Sequence, residues 1–170
     1  MARYLLATKG DLACAIKLYE VNIQVSQTLY GVLHGYEITL RNAMHDRLKE
    51  HFARDDWYTR ANLSPVHIRM VQETQDEAER GHPAGSTVPV GKIVAGLSLG
   101  FWTGLIAARY EQSLWQPCLR KAFPNTAVSR ARAYPVLNDI KRVRNRVAMS
   151  GYLAAMGHYT PDLTQIIEQS

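Results

Sequence analysis

The run DIKRVRNRVAMSGYL, residues 139–153, carries four basic side chains in its first eight positions and none afterwards. On a helix at 100° per residue, Val136, Ile140, Val143 and Val147 fall in a narrow apolar stripe. Arg144 lies just off that stripe, flanked by Leu137, Ile140 and Gly151, while Arg142 and Arg146 point toward solvent. A guanidinium on such an edge is half-desolvated and calls for a carboxylate or phosphate partner. The plainer reading is an arginine whose stem covers apolar surface while its head stays in water. Asn145, next to it, adds an amide donor and acceptor.

A second constellation lies in YEITLRNAMH, residues 36–45. Glu37 and Arg41 are four apart on one helical face, with Asn42 beside them. As an exposed pair they would add only about 0.2–0.5 kcal/mol. They also border an apolar stripe through Tyr36, Leu40 and Met44. Two helices packed through their stripes would gather Glu37, Arg41, Asn42, Arg144 and Asn145. Such a cluster suits an RNA phosphate: forked guanidinium donors, amide hydrogen bonds, and a carboxylate to orient an arginine. His45, four residues past Arg41 on the same face, joins the expected phosphate-binding group. His34 and His158 are the weaker histidine candidates, and packing or surface exposure is the commoner fate of each.

The elements that must position these residues read as helices almost throughout. Residues 11–52 form one long helix or two in line, with Asp11 as N-cap and Leu29, Leu33, Tyr36, Leu40, Met44 and Leu48 recurring at three and four. Gly31 and Gly35 would bend it or admit a close neighbour. A further helix opens with Ser64 as cap and Pro65 in first position, ending near Gly81. HPAGSTVPVG is a loop between two helical hairpins of one domain. The apolar segment after it predicts two short helices around Ser98-Leu99-Gly100, and QPCLRKAF predicts another. A last long helix starts near Arg130, with a kink or restart at Pro135. TPDLTQIIEQS reads as a terminal helix. With no strand alternation, the 170 residues predict a single all-α bundle spanning 1–170.

Composition bounds the partners. The net charge is +5, and nine Lys/Arg face two acids between Arg109 and Arg146, whereas Glu73–Glu79 holds four acids and no base. Such polarity favours an anionic partner, nucleic acid first. The longest apolar run is broken by Lys92 and four glycines, so no membrane span is expected. With no export signal, Cys14 and Cys118 are expected as reduced thiols in a cytoplasm. His, Cys, Asp and Glu show no metal-ligand spacing, GKIVAGLSLG is no phosphate loop, and no Gly-x-Ser-x-Gly elbow occurs, so neither metal nor cofactor is expected. Trp57, Trp102 and Trp115 can stack on bases, although Trp102 and Trp115 sit where core packing is the better reading.

LYEVNIQVSQTLYGVLHGYEITLRNAMHDRL, GKIVAGLSLGFWTGLI, YEQSLWQPCLRKAFP and DIKRVRNRVA, in that order, resemble the Abi-like (abortive infection) proteins of the HEPN superfamily. The similarity runs from about Tyr19 to Ala148. It implies an all-α HEPN-type domain that pairs as a homodimer through its long helices. It also implies a metal-independent ribonuclease site in the dimer cleft, a phage-defence or toxin–antitoxin setting, and RNA as target. In the family's motif an Arg and a polar residue precede a His, which moves the proton while the Arg steadies the phosphate. Arg144 and Asn145 match the motif's start. Related chains would read RNRVAHHEP; this one reads RNRVAMSGY. Met149, Ser150 and Gly151 do not titrate near neutral pH, so none replaces an imidazole. The expectation is RNA binding with weak or absent cleavage. The alternative is a non-catalytic interaction or immunity module that pairs with an active partner protein, such as a toxin with its antitoxin.

Overall fold

The computed structural model describes residues 2–83, 86–124 and 128–155, with side chains to residue 148. Every regular element among the described residues is helical, so the chain is all-α as expected. In chain order these are α1 (Ala2–Ala7), α2 (Leu12–Phe52), α3 (Pro65–Arg80), α4 (Val90–Gly96), α5 (Leu99–Gly104) and α6 (Arg130–Ala155). Between α5 and α6 the chain tightens into 3₁₀ turns at Ala108–Tyr110 and Leu119–Ala122, around a π-helical turn at Glu111–Trp115. The terminal helix read over TPDLTQIIEQS, and His158, lie outside the described residues.

The chain divides into two compact units, one from residues up to Gly35 and from Arg142 onward, the other from Tyr36 to Lys141. In the first unit, α1 was not anticipated. It ends in a turn with Gly10 at φ 91°, where the Gly10 N–H reaches the Leu5 carbonyl at 2.8 Å. That left-handed backbone is why glycine stands there. Asp11 then caps α2 as expected, its Oδ1 accepting from Cys14 N–H at 2.9 Å. Tyr4 of α1 packs edge-on against Tyr19 of α2, with ring centroids 5.5 Å apart.

In the second unit a core forms from Leu40, Met44 and Leu48 of α2, Trp57, Val71 of α3, the α4–α5 pair, and Ala133 and Leu137 of α6. The predicted stripe of α2 is therefore right from Leu33 onward, but Leu29 is exposed. A Cβ at Gly31 or Gly35 would meet nothing within 4 Å among the described residues, so neither glycine admits a close neighbour. α2 is one helix of 41 residues. All three tryptophans are buried: Trp57 and Trp102 fully, Trp115 at 3% exposure. Trp57, Phe101 and Trp102 meet with centroids 5.3–6.2 Å apart. None of the indoles offers a face for a base, which settles their role as core.

α3 crosses α5 at a close approach. A Cβ on Gly104 would sit 2.4 Å from His67 Nε2, so only glycine fits. His67 is buried, with Ser64 Oγ at 2.9 Å and Tyr110 Oη at 3.0 Å from its Nδ1. The Ser64 N–H donates to the same tyrosine oxygen at 2.9 Å. Ser64 is thus the N-cap residue of α3 by backbone, but its hydroxyl serves His67 and makes no cap bond. Pro135 neither ends nor restarts α6. Ala131, whose carbonyl loses a helical partner to the proline, is exposed, and water can serve that oxygen.

Burial lowers the affinity of His67 for a proton, and a neighbouring Arg109 charge adds to this. Burial does the same to His45. Both rings are neutral in the fold, so they favour it above pH 6.5, their unfolded value, and that contribution is lost as pH falls toward their lowered native values. The urea midpoint is expected to fall between about pH 7 and about pH 5. A flat midpoint over that window contradicts the neutral buried rings.

Candidate anion-binding site

Glu37, Arg41, Asn42 and His45 all lie on α2 within the second unit. Glu37 and Arg41 reach the same place from one helix face. Glu37 Oε1 accepts the Leu99 N–H at 3.0 Å, and Arg41 Nη1 donates to the Ala95 carbonyl at 3.2 Å. Ala95 is near the end of α4 and Leu99 begins α5. The two side chains therefore clamp the α4–α5 connection, one serving a free carbonyl and the other a free N–H. Arg41 Nε also donates to Asn42 Oδ1 at 3.2 Å. The i,i+4 spacing read as a surface ion pair sends both side chains to main-chain groups of a neighbouring hairpin. Glu37, Arg41 and Asn42 form a local cluster, with Arg41 half-buried and Asn42 exposed.

His45 sits one turn further and faces elsewhere. Its Nδ1 accepts the Trp57 indole N–H at 3.0 Å. Desolvation keeps the ring neutral, so it can present Nε2–H to an anion but brings no charge. His34 is exposed and stacks on Tyr30, with centroids 6.2 Å apart.

Arg144 and Asn145 lie on α6 in the first unit. Arg144 is half-buried while Arg142 and Arg146 are exposed, as the helical projection anticipated, and Asn145 is exposed as well. The projection misplaced the apolar face, however. Val136 and Val143 are exposed by 57% and 49%, whereas Ala133, Leu137 and Val147 are buried. The inward line runs through positions 133, 137, 140, 144 and 147, so Arg144 occupies a place on it and not beside it. An arginine so placed has only part of its side chain in bulk water, and any bond its donor fork makes to an anion is charge-assisted. The side chains at 149–151 lie outside the described ones.

Sequence reasoning missed the true partners of Glu37 and Arg41, because a contact 62 or 54 residues away leaves no local periodic signal. It also passed over Arg120 and Lys121. Among the described residues no group of three or more His, Cys, Asp or Glu side chains is placed to hold a metal ion, and no helix is long and apolar enough to cross a membrane.

Ser98 caps α5 through the Phe101 N–H, and Glu37 adds a bond to the Leu99 N–H; removing that bond with Glu37→Ala should cost about 1 kcal/mol in urea unfolding. Glu37→Gln keeps an acceptor oxygen and should cost less. Equal losses would count against the Glu37–Leu99 bond. Comparison with protein-family models, with curated proteins and with solved structures gives no match.

Proposed function

We propose that this chain is an RNA-targeting domain of the abortive-infection type, resembling the HEPN superfamily, that binds RNA through phosphate contacts and cleaves it weakly or not at all. The observation that carries the reading is Arg144, half-buried on α6 beside Asn145 and between exposed Arg142 and Arg146. A half-buried arginine with an amide next to it can hold a phosphate by charge-assisted, directional bonds. Exposed arginines on the same helix add attraction that depends on salt. Glu37, Arg41, Asn42 and His45 are further phosphate-facing candidates, with Arg41 and Glu37 also committed to the α4–α5 turn.

The chemistry expected of an intact relative is transesterification, in which a base takes the ribose 2′-OH proton, the 2′-oxygen attacks the phosphorus, and an acid protonates the leaving 5′-oxygen. Residues 149–151 supply no imidazole, so the phosphate holder stands without its proton carrier. Pairing with a second copy is supported by Leu18, Val21, Val25, Leu29 and Val32, which are exposed at helical spacing on α2. The same stripe supports the second reading, a module that pairs with a different protein such as an antitoxin. Stoichiometric capture of that protein without RNA would favour it.

Arg144→Ala is expected to weaken single-stranded RNA binding about ten- to a hundredfold while far-ultraviolet dichroism stays unchanged. Unchanged affinity would remove the residue that carries the proposal. Installing an imidazole and carboxylate with Met149→His and Gly151→Glu should raise RNA cleavage about 10²–10⁴-fold. A double variant that binds RNA and gains no cleavage argues against a disabled nuclease.

A further inference from the structure

The 3₁₀ turn Leu119–Ala122 carries Arg120 and Lys121, and the stretch from Trp115 to Phe123 contains no acid. Two clefts share Lys121 as a wall. One, of about 260 Å³, is lined by Arg47, Glu50 and His51 near the end of α2 and by Pro117 and Cys118. The other, of about 520 Å³, is lined by Trp115, Phe123 and Arg120. Both belong to the unit built from Tyr36–Lys141.

The charges here are uneven in a telling way. Arg47 already pairs with Glu50 at 2.8 Å, and Glu111 with Arg130. Neither Arg120 nor Lys121 has a carboxylate partner among the described residues, and both are exposed. Two adjacent uncompensated cations at the mouths of two clefts attract an anion with more than one charge. The Cys118 thiol does not alter this. It is buried, donates to the Leu114 carbonyl at 3.1 Å, and is pushed up to about 11 by burial, so it stays a neutral wall.

The larger cleft adds an aromatic side. The half-buried Phe123 ring lies against Trp115, with centroids 5.7 Å apart and planes tilted by 37°. A cation pair beside an aromatic wall is the combination that holds unpaired nucleotides: charge for the backbone, a ring for the base. We propose that this is a second RNA surface, in which Arg120 and Lys121 hold successive phosphates of a single strand and one base sits against Phe123. It rests on the RNA reading above and locates a contact that the Arg144–Asn145 pair does not provide.

The test is fluorescence anisotropy with a labelled oligouridine and with an RNA duplex of equal length, over a potassium chloride series. The proteins are wild type, Arg120→Gln/Lys121→Gln and Arg144→Ala. The double variant should bind the single strand about tenfold more weakly, with a salt slope shallower by about 1.4. Its dichroism should match wild type, since both side chains are exposed. Wild type should prefer the single strand. If the double variant binds like wild type while Arg144→Ala is weakened, the second surface is overturned and the RNA reading stands. If wild type binds neither RNA, both fall. Equal affinity for strand and duplex overturns the seating of a base against Phe123.

Discussion

Short helices of six or seven residues do not hold themselves together in water, because nucleation costs more than so few hydrogen bonds return. α4 and α5 are such helices, and between them they carry much of the core: Ile93, Val94, Leu97, Leu99, Phe101 and Trp102 are all buried. Their stability must come from outside. Glu37 and Arg41 supply it by answering the two unpaired main-chain groups at the α4–α5 junction, and Trp102 Nε1 closes the same corner on the Leu97 carbonyl at 3.1 Å. Around that hairpin, Gly104 meets His67 where α3 crosses α5, and Trp57 donates to His45. The part of α2 from Glu37 to Leu48 carries both clamp residues and the Met44–Leu48 floor.

This arrangement separates the basic residues into two kinds. Some are tied to structure: Arg41 to Ala95, Arg54 to Asp56, and Arg130 to Glu111 and the Ile106 carbonyl. Others face solvent, among them Arg120 and Lys121. Each ion pair removes one cation and one anion, so the net charge of +5 is untouched by them and rests on cations outside those pairs.

Much of this was legible beforehand for local reasons. The Asp11 cap, the Pro65 start, the α4–α5 break at Ser98 and the α6 start at Arg130 all rest on residues within a few positions of each other. The face of α6 was not legible. Val136 and Val143 look like core by type, and only packing reveals that Leu137 and Arg144 turn inward in their place. Ser64 is a second example. Its type and position announce a cap, but a buried imidazole nearby competes for the hydroxyl and takes it. Sequence gives the capacity to bond and is silent on which neighbour arrives first.

The tryptophans carry one more consequence. All three lie between Tyr36 and Lys141, inside one of the two compact units, and the unit that holds Arg144 has none. Indole emission is thus an optical reporter for the aromatic half of the chain alone. Circular dichroism, by contrast, averages the helices of both. When the two signals melt together, the halves unfold as one; when emission lags behind ellipticity, the arginine-bearing half has come apart first.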